Sequence, residues 1–327
     1  MMNSELICHI PCNLCGSKDI EVLSLRDRQL QFLRTVICKK CGLIWSDPRP
    51  SEEDIRNFYS DKYRKEYKGI YHPKLKHIYR DAKQAVRRFC FLKSVLKKHH
   101  KILDIGCGTG VFVYTLRSLG FNGFGIEPDK YYAAYAAGEL KIPVTRSFLQ
   151  DIEVETTYDV VTMFHVLEHT ENPSAILTKI WNLLKIEGFL ILEVPNAEDT
   201  WQGPHRRYHK AHLYTFNPET IQAIGEKNRF TVHKISVAPY HGNITVIFQK
   251  QEKAKIVIEK LAGNYDKIKN ILNKNDLLYH FRTSVPYKKF CQNIISAVWE
   301  QIVVRKYTTG KELVDSVIRS HLSDLSQ

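Results

Sequence analysis

KILDIGCGTGVF, residues 101–112, is a short apolar strand that runs through Asp104 into three glycines, Gly106, Gly108 and Gly110, and on into a helix-length segment through Val113 and Leu116. Glycines at this spacing let a backbone turn approach a ligand with no Cβ in the way, at the N-terminus of the helix that follows. A dinucleotide fingerprint would read G-x-G-x-x-G, but here the glycines run G-x-G-x-G and position 111 is Val. Asp104 stands two residues before the first glycine, where a carboxylate repels a pyrophosphate and attracts an amino group. The loop therefore reads as a cradle for a ligand that carries an amino group. Cys107, inside it, reads as a small spacer and not a nucleophile.

Outward from this loop, short apolar strands alternate with helix-length amphipathic segments, the pattern of a parallel α/β sheet. The candidate strands are Lys101–Ile105, Gly123–Ile126, Val144–Arg146, Tyr158–Met163 and Phe189–Val194. Thr231–Ala238 and Asn243–Gln249, separated by PYHG, predict a closing antiparallel pair. Four zones follow: a cysteine-bearing segment 1–50, a basic helical connector 51–100, the α/β domain 101–250 and a helical C-terminal extension 251–327. In the connector, Ser51 is placed as a helix N-cap, with Glu53 and Asp54 in the first turn.

The chain has 327 residues, 43% hydrophobic, 11% aromatic and 25% charged, which excludes a mainly disordered, collagenous or coiled-coil architecture. No apolar run approaches the ~18–20 residues that span a bilayer, and the start MMNSELICHI lacks the features of a signal peptide, so a cytoplasmic protein is expected. Lys and Arg total 48 against 35 for Asp and Glu; the net charge of +13 suggests anionic partners: nucleic acid, nucleotide-linked substrates or an acidic membrane surface.

With these landmarks in order, residues 101–250 resemble the class I S-adenosylmethionine-dependent methyltransferases. The resemblance implies a Rossmann-like seven-stranded sheet. It also implies that Asp104, Gly106, Cys107, Gly108 and Gly110 hold the methionine part of the cofactor. Glu127, in GIEP, falls where the family carries an acid for the ribose hydroxyls, and Gln150 and Asp151, in SFLQDIE, fall near the adenine. YDVVTMFHVLEHTENP (158–173) matches the fourth strand and the loop after it, which puts His165 among the cofactor contacts; LLKIEGFLILEVPN (183–196) matches the fifth helix–turn–strand.

PCNLCG and ICKKCGL present Cys12 and Cys15, then Cys38 and Cys41, as two C-x-x-C knuckles with Gly16 and Gly42 behind them. Four thiolates suit a closed, structural Zn2+ site in a small ribbon; a redox pair would need only one such motif. Cys8 is a spare. The combination of these knuckles, CGLIWSDPRPSEEDIRNFYSDKY and the core resembles a bacterial group that includes sugar C-methyltransferases and methyltransferases of surface-polysaccharide synthesis. That resemblance implies a sugar, nucleotide-linked sugar or glycan acceptor, with O- or C-methylation both open.

Methyl transfer needs in-line positioning, and a base where the acceptor must lose a proton. The candidates are His165 and His169, with Glu168 between them, in the loop after the fourth strand, and His205, His209 and His212 in HRRYHKAHLYTF after the fifth. Of these, His165, His169, His209 and His212 are the proposed catalytic set, and Arg206 and Arg207 are candidates for a substrate phosphate. A nucleic-acid methyltransferase is the rival reading from the charge and the ribbon; against it, the fourth strand leads into FHVLEH and not Asn-Pro-Pro-aromatic. A zinc-binding scaffold without catalysis is the third. The extension leaves open an oligomer through the C-terminal helices, a lid or a peripheral membrane contact.

Overall fold

The computed structural model describes residues 9–50, 52–57, 72–153, 157–253 and 261–322. The chain forms two compact units, one of Met1–Glu52, His165–Trp181 and Ile191–Lys289, the other of Glu53–Phe164, Asn182–Leu190 and Phe290–Gln327. A four-stranded sheet runs in the order β1 (Ile20–Arg26), β2 (Phe32–Cys38), β3 (Ile44–Ser46) and β9 (Tyr214–Thr215). A seven-stranded sheet runs in the order β10 (Phe230–Val237), β11 (Ile244–Lys250), β8 (Leu184–Val194), β7 (Tyr158–Phe164), β4 (Lys101–Ile105), β5 (Asn122–Ile126) and β6 (Val144–Thr145). The described helices are α1 (Glu52–Asn57), α2 (Leu75–Leu92), α3 (Val111–Ser118), α4 (Lys130–Gly138), α5 (Pro173–Leu183), α6 (Pro218–Lys227), α7 (Asn264–Lys274), α8 (Leu277–Arg282), α9 (Val285–Val304) and α10 (Gly310–Leu322).

In the unit that carries the glycine loop, β4 is central and pairs in parallel with β5 (Ile105 opposite Ile126) and with β7 (Ile105 opposite Met163). Parallel central strands are buried on both faces, hence the near-continuous apolar reading of KILDI. The helix α2 buries Ile78, Ala82, Ala85, Phe89 and Leu92, spaced by three and four residues, and α10 packs against it. Asp129 caps α4 by accepting from the backbone N–H groups of Tyr131 and Tyr132.

In the other unit, β10 and β11 form the expected antiparallel pair, with Val237 opposite Ile244. The helix α6 starts on a capping box between Asn217 and Thr220, with Pro218 in its first turn. Ile37 and Ile44 of the four-stranded sheet share a core with Ala197, Ile268 and Leu272. The helix α9 buries none of its residues, and Tyr287, Phe290, Ile294, Ile295, Val298, Trp299 and Ile302 are exposed.

Several boundaries differ from the sequence reading. The strand β8 starts at Leu184, five residues before Phe189; Lys185, Ile186 and Glu187 all have their side chains in solvent, and Glu187 takes a left-handed φ of 59°, so no strand period runs through them. The strand β6 stops at Thr145, and β10 and β11 are each displaced by one residue. Ser51, the expected N-cap, Cys8 and part of the connector lie outside the described residues.

Candidate functional site

The turn after β4 has Gly106, Gly108 and Gly110 at φ of 67°, 57° and 74°, the left-handed region where a side chain is strained. Gly110 is also sterically committed: a Cβ there would fall 2.5 Å from Ile142 Cδ1 and 2.8 Å from the Ala136 Cβ. The Cys107 Sγ lies 2.7 Å from where a Cβ on Gly125 would stand, so this thiol packs under β5, as a spacer does. Asp104 is buried, and its Oδ1 accepts a 2.7 Å hydrogen bond from the Thr162 hydroxyl. Burial pushes its carboxyl up to about 7, against the bond from Thr162 and the charge of Arg88. Glu127 is buried too, with Oε2 accepting from the Gly108 N–H at 2.7 Å and Oε1 from the Asp129 N–H at 3.0 Å. These two acids and the glycine turn are brought together by the β4–β5 pairing. Gln150 and Asp151 sit in a short 3-10 turn, and the Asp151 carboxylate is held by both Nη atoms of Arg56 at 2.8 and 2.9 Å. The combination of a Cβ-free turn, a buried acid and a second acid at the end of the next strand fits the amino-acid and ribose parts of S-adenosylmethionine.

In the other unit, the loop that leaves β7 opens on His165 at φ 56°, a left-handed conformation that costs a non-glycine residue about 1–2 kcal/mol. Its backbone N–H donates to the Glu193 carbonyl at 2.8 Å. Its ring lies between two buried carboxylates, with Nδ1 at 3.4 Å from Glu168 Oε1 and Nε2 at 3.2 Å from Glu193 Oε1. Asn243 Nδ2 lies 3.2 Å from the same Nε2, and Thr245 Oγ1 donates to Glu193 Oε2. Burial opposes a charge on His165, but Glu168 and Glu193 outweigh it and raise the imidazole to about 9. The His165 side chain is 34% exposed while both acids are 1% exposed, so the imidazole is the accessible tip of a buried acid pair.

The other proposed histidines divide by role. His209 Nδ1 accepts from the Ala211 N–H at 2.9 Å, a local structural bond, and burial lowers the ring to about 4. The His169 Nδ1 meets the Ala211 carbonyl at 2.6 Å, and its ring lies 4.9 Å from that of His212. Burial, with neighbouring His169, lowers His212 to about 3. Thus His165, His169 and His212 gather around Glu168, and His209 stands behind them. Arg207 is not free for a phosphate: its guanidinium donates to the carbonyls of Leu272 and Asn275. Glu193, absent from the sequence-based set, is an acid inside the apolar run FLILEVP, and a charge at a strand position otherwise fully apolar is the signal that marks it.

The four cysteines converge. Cys12 and Cys41 have their sulfurs 3.5 Å apart, Cys15 and Cys38 3.4 Å, and all four ligand atoms lie within 4.8 Å of one another. Thiolates around a tetrahedral ion with bonds of ~2.3 Å stand about 3.8 Å apart, so this donor set can hold a metal ion. Each knuckle closes the same way, with the Gly16 N–H on the Cys12 carbonyl and the Gly42 N–H on the Cys38 carbonyl, both at 2.8 Å. Asn264 Nδ2 donates to the Cys41 carbonyl at 2.8 Å and fixes the second knuckle from α7.

Residues 75–235 match the family model described as a methyltransferase domain. The ubiquinone biosynthesis O-methyltransferase of Rickettsia bellii is 26% identical over 205 residues, 58% of this chain and 79% of its own; that of Rickettsia typhi is 27% identical over 186 residues, 55% and 72%. Among solved structures, magnesium protoporphyrin IX methyltransferase from Synechocystis PCC 6803 with bound S-adenosylhomocysteine superposes with a TM-score of 0.49 at 15% identity, over 62% of this chain and all of that one. With the seven-stranded sheet, the glycine turn after β4 and its two buried acids, the match makes residues 75–235 of this chain an S-adenosylmethionine-dependent methyltransferase domain.

Proposed function

We propose that the chain methylates a hydroxyl of a small-molecule acceptor, and that this acceptor is a sugar, free, nucleotide-linked or within a glycan. The observation that carries the reading is the joint placement of Asp104, Glu127 and the left-handed glycine turn. Asp104 takes the cofactor's ammonium, the Gly106–Gly110 backbone its methionine part and Glu127 its ribose hydroxyls, with Gln150 and Asp151 toward the adenine. The cofactor supplies a methyl group on a sulfonium, an electrophile that needs no redox partner. In the transfer, the sulfur–methyl bond breaks, a bond from the acceptor oxygen forms and the hydroxyl proton leaves. His165, exposed between Glu168 and Glu193 and raised to about 9 by them, is charged at neutral pH, so it is proposed to hold the acceptor oxygen as a hydrogen-bond donor while the hydroxyl proton leaves to solvent. The four cysteines are assigned a structural Zn2+ ion that fixes the small sheet.

Support for a sugar comes from the sequence resemblance through CGLIWSDPRPSEEDIRNFYSDKY, and the net charge of +13 suits a diphosphate-linked substrate. The Rickettsia relatives favour a second reading, an acceptor in ubiquinone biosynthesis. Binding of S-adenosylhomocysteine to the zinc-replete chain, measured calorimetrically with Glu127→Ala as control, tests the cofactor site. A panel of nucleotide-linked sugars and phenolic quinone precursors, read by release of S-adenosylhomocysteine, decides between the acceptors. His165→Ala is expected to lower kcat by about a hundredfold or more; unchanged kcat would sink its role.

A further inference from the structure

Glu168 is a carboxylate with 1% exposure in which neither oxygen has a hydrogen-bond partner. A buried charge left in this state is costly, so what faces it matters. Besides His165, at ion-pair distance from Oε1, it is faced by His169 Nε2, 3.8 Å from Oε1, and by His212. One donor atom each from Glu168, His169 and His212 lies within 4.8 Å of the others. The His169 Nδ1 is taken by the Ala211 carbonyl, an N–H donating to a backbone oxygen, which in the neutral ring turns the lone pair of Nε2 toward the carboxylate. The two atoms face one another at 3.8 Å, a distance too long for a hydrogen bond.

The surrounding backbone holds this arrangement. The Leu213 N–H donates to the Glu168 carbonyl at 2.8 Å, and Ala211 meets the His169 ring, so the residues on either side of His212 are both tied to the Glu168–His169 segment. The His212 ring packs against the rings of His169 and His209. Burial keeps that imidazole neutral, the form a metal requires.

We infer that Glu168, His169 and His212 form a second metal site, distinct from the four cysteines, for a divalent first-row ion of the zinc type. Two imidazoles and one carboxylate are donors of matched hardness for such an ion, and the His169 Nδ1–carbonyl bond is the outer contact that orients a ligating histidine. Donors on a tetrahedron with bonds of ~2.0–2.1 Å stand roughly 3.4 Å apart, so small side-chain rotations complete the set. Three protein donors leave a fourth position for an oxygen ligand. This goes beyond the proposed acceptor and holds whichever acceptor is used.

The test is metal content of the intact chain after equilibration with Zn2+ and removal of loose ions, by mass spectrometry. The expected result is about two ions per chain, falling to about one in Glu168→Gln and in His212→Asn, with S-adenosylhomocysteine binding retained. Co2+ in the second site should add d–d absorption without thiolate charge transfer, and both substitutions should remove it. Because Glu168 is fully buried, His212→Asn, at a partly exposed position, carries the test if the first variant fails to fold. One ion per chain in the unaltered protein, or two ions persisting in a folded His212→Asn, overturns the site.

Discussion

Asp104 is a carboxylate at the end of β4 whose burial is offset chiefly by one hydroxyl, that of Thr162, and by the charge of Arg88. Its folded value, about 7, lies above the ~3.9 of an unfolded aspartate. The folded chain therefore binds this proton more tightly, and the stability it contributes is complete below pH ~4 and lost as pH rises through about 7. Asp104→Asn should remove that loss, making the cofactor-free chain more stable at pH 8 by on the order of 2–4 kcal/mol and unchanged near pH 4, measured by urea denaturation. The same substitution should abolish S-adenosylhomocysteine binding, and the affinity of the unaltered chain should rise as pH passes through about 7, because the ammonium then meets an ionised partner. Affinity that is flat across this range would separate Asp104 from the cofactor. Glu127 behaves differently, since each of its oxygens accepts a backbone N–H, from Gly108 and Asp129. Glu127→Gln places an amide NH2 against one of those donors and should cost about 1–3 kcal/mol in thermal denaturation as well as cofactor affinity.

At the scale of elements, the second cysteine knuckle depends on Gly42, which has a φ of 78° and faces Asn264 so closely that a Cβ would fall 2.6 Å from Nδ2. Gly42→Ala should destabilise the small sheet by at least the ~1–2 kcal/mol of a left-handed alanine and displace the Asn264 bond to Cys41. Chelation should do the same by a different route, and hydrogen exchange at Val36, Ile37, Ile44 and Trp45, all buried, should accelerate in both cases while the amides of β4 stay protected. Uniform acceleration in β4 as well would contradict a local role. Which elements could be read from sequence follows the same physics. The knuckles and the glycine turn are legible because their chemistry is local: two or three residues at fixed spacing force a backbone conformation. The strand β9, two residues long, has no period to read and exists because Tyr214 and Thr215 pair with Trp45 and Ile44. In the early part of β8 Lys185, Ile186 and Glu187 are all exposed, the apolar Ile186 included, so no buried face marks it as a strand. The acid pair around His165 was half legible: Glu168 lies in the same short segment, whereas Glu193 is 28 residues away and meets the ring only through folding.

For the whole molecule, the net charge of +13 admits two kinds of acceptor, and ionic strength separates them. A nucleic acid is held by many phosphates at once, and displacing its condensed counterions makes affinity fall by about 10³–10⁵ between 50 and 200 mM salt for 6–10 contacts. A small molecule carrying at most a diphosphate engages one or two cations, so its binding should weaken by no more than about tenfold over the same range. The geometry of the described residues favours the second case. Arg207 is spent on backbone carbonyls, Arg56 on Asp151 and Arg80 on Glu300, so these three basic side chains serve the fold in place of a phosphate track. Measured with the acceptor the panel identifies, kcat/KM should therefore vary weakly with salt, and competing RNA should not inhibit at 200 mM. A thousandfold fall across this range, with inhibition by RNA, would instead return the excess charge to a polyanionic substrate.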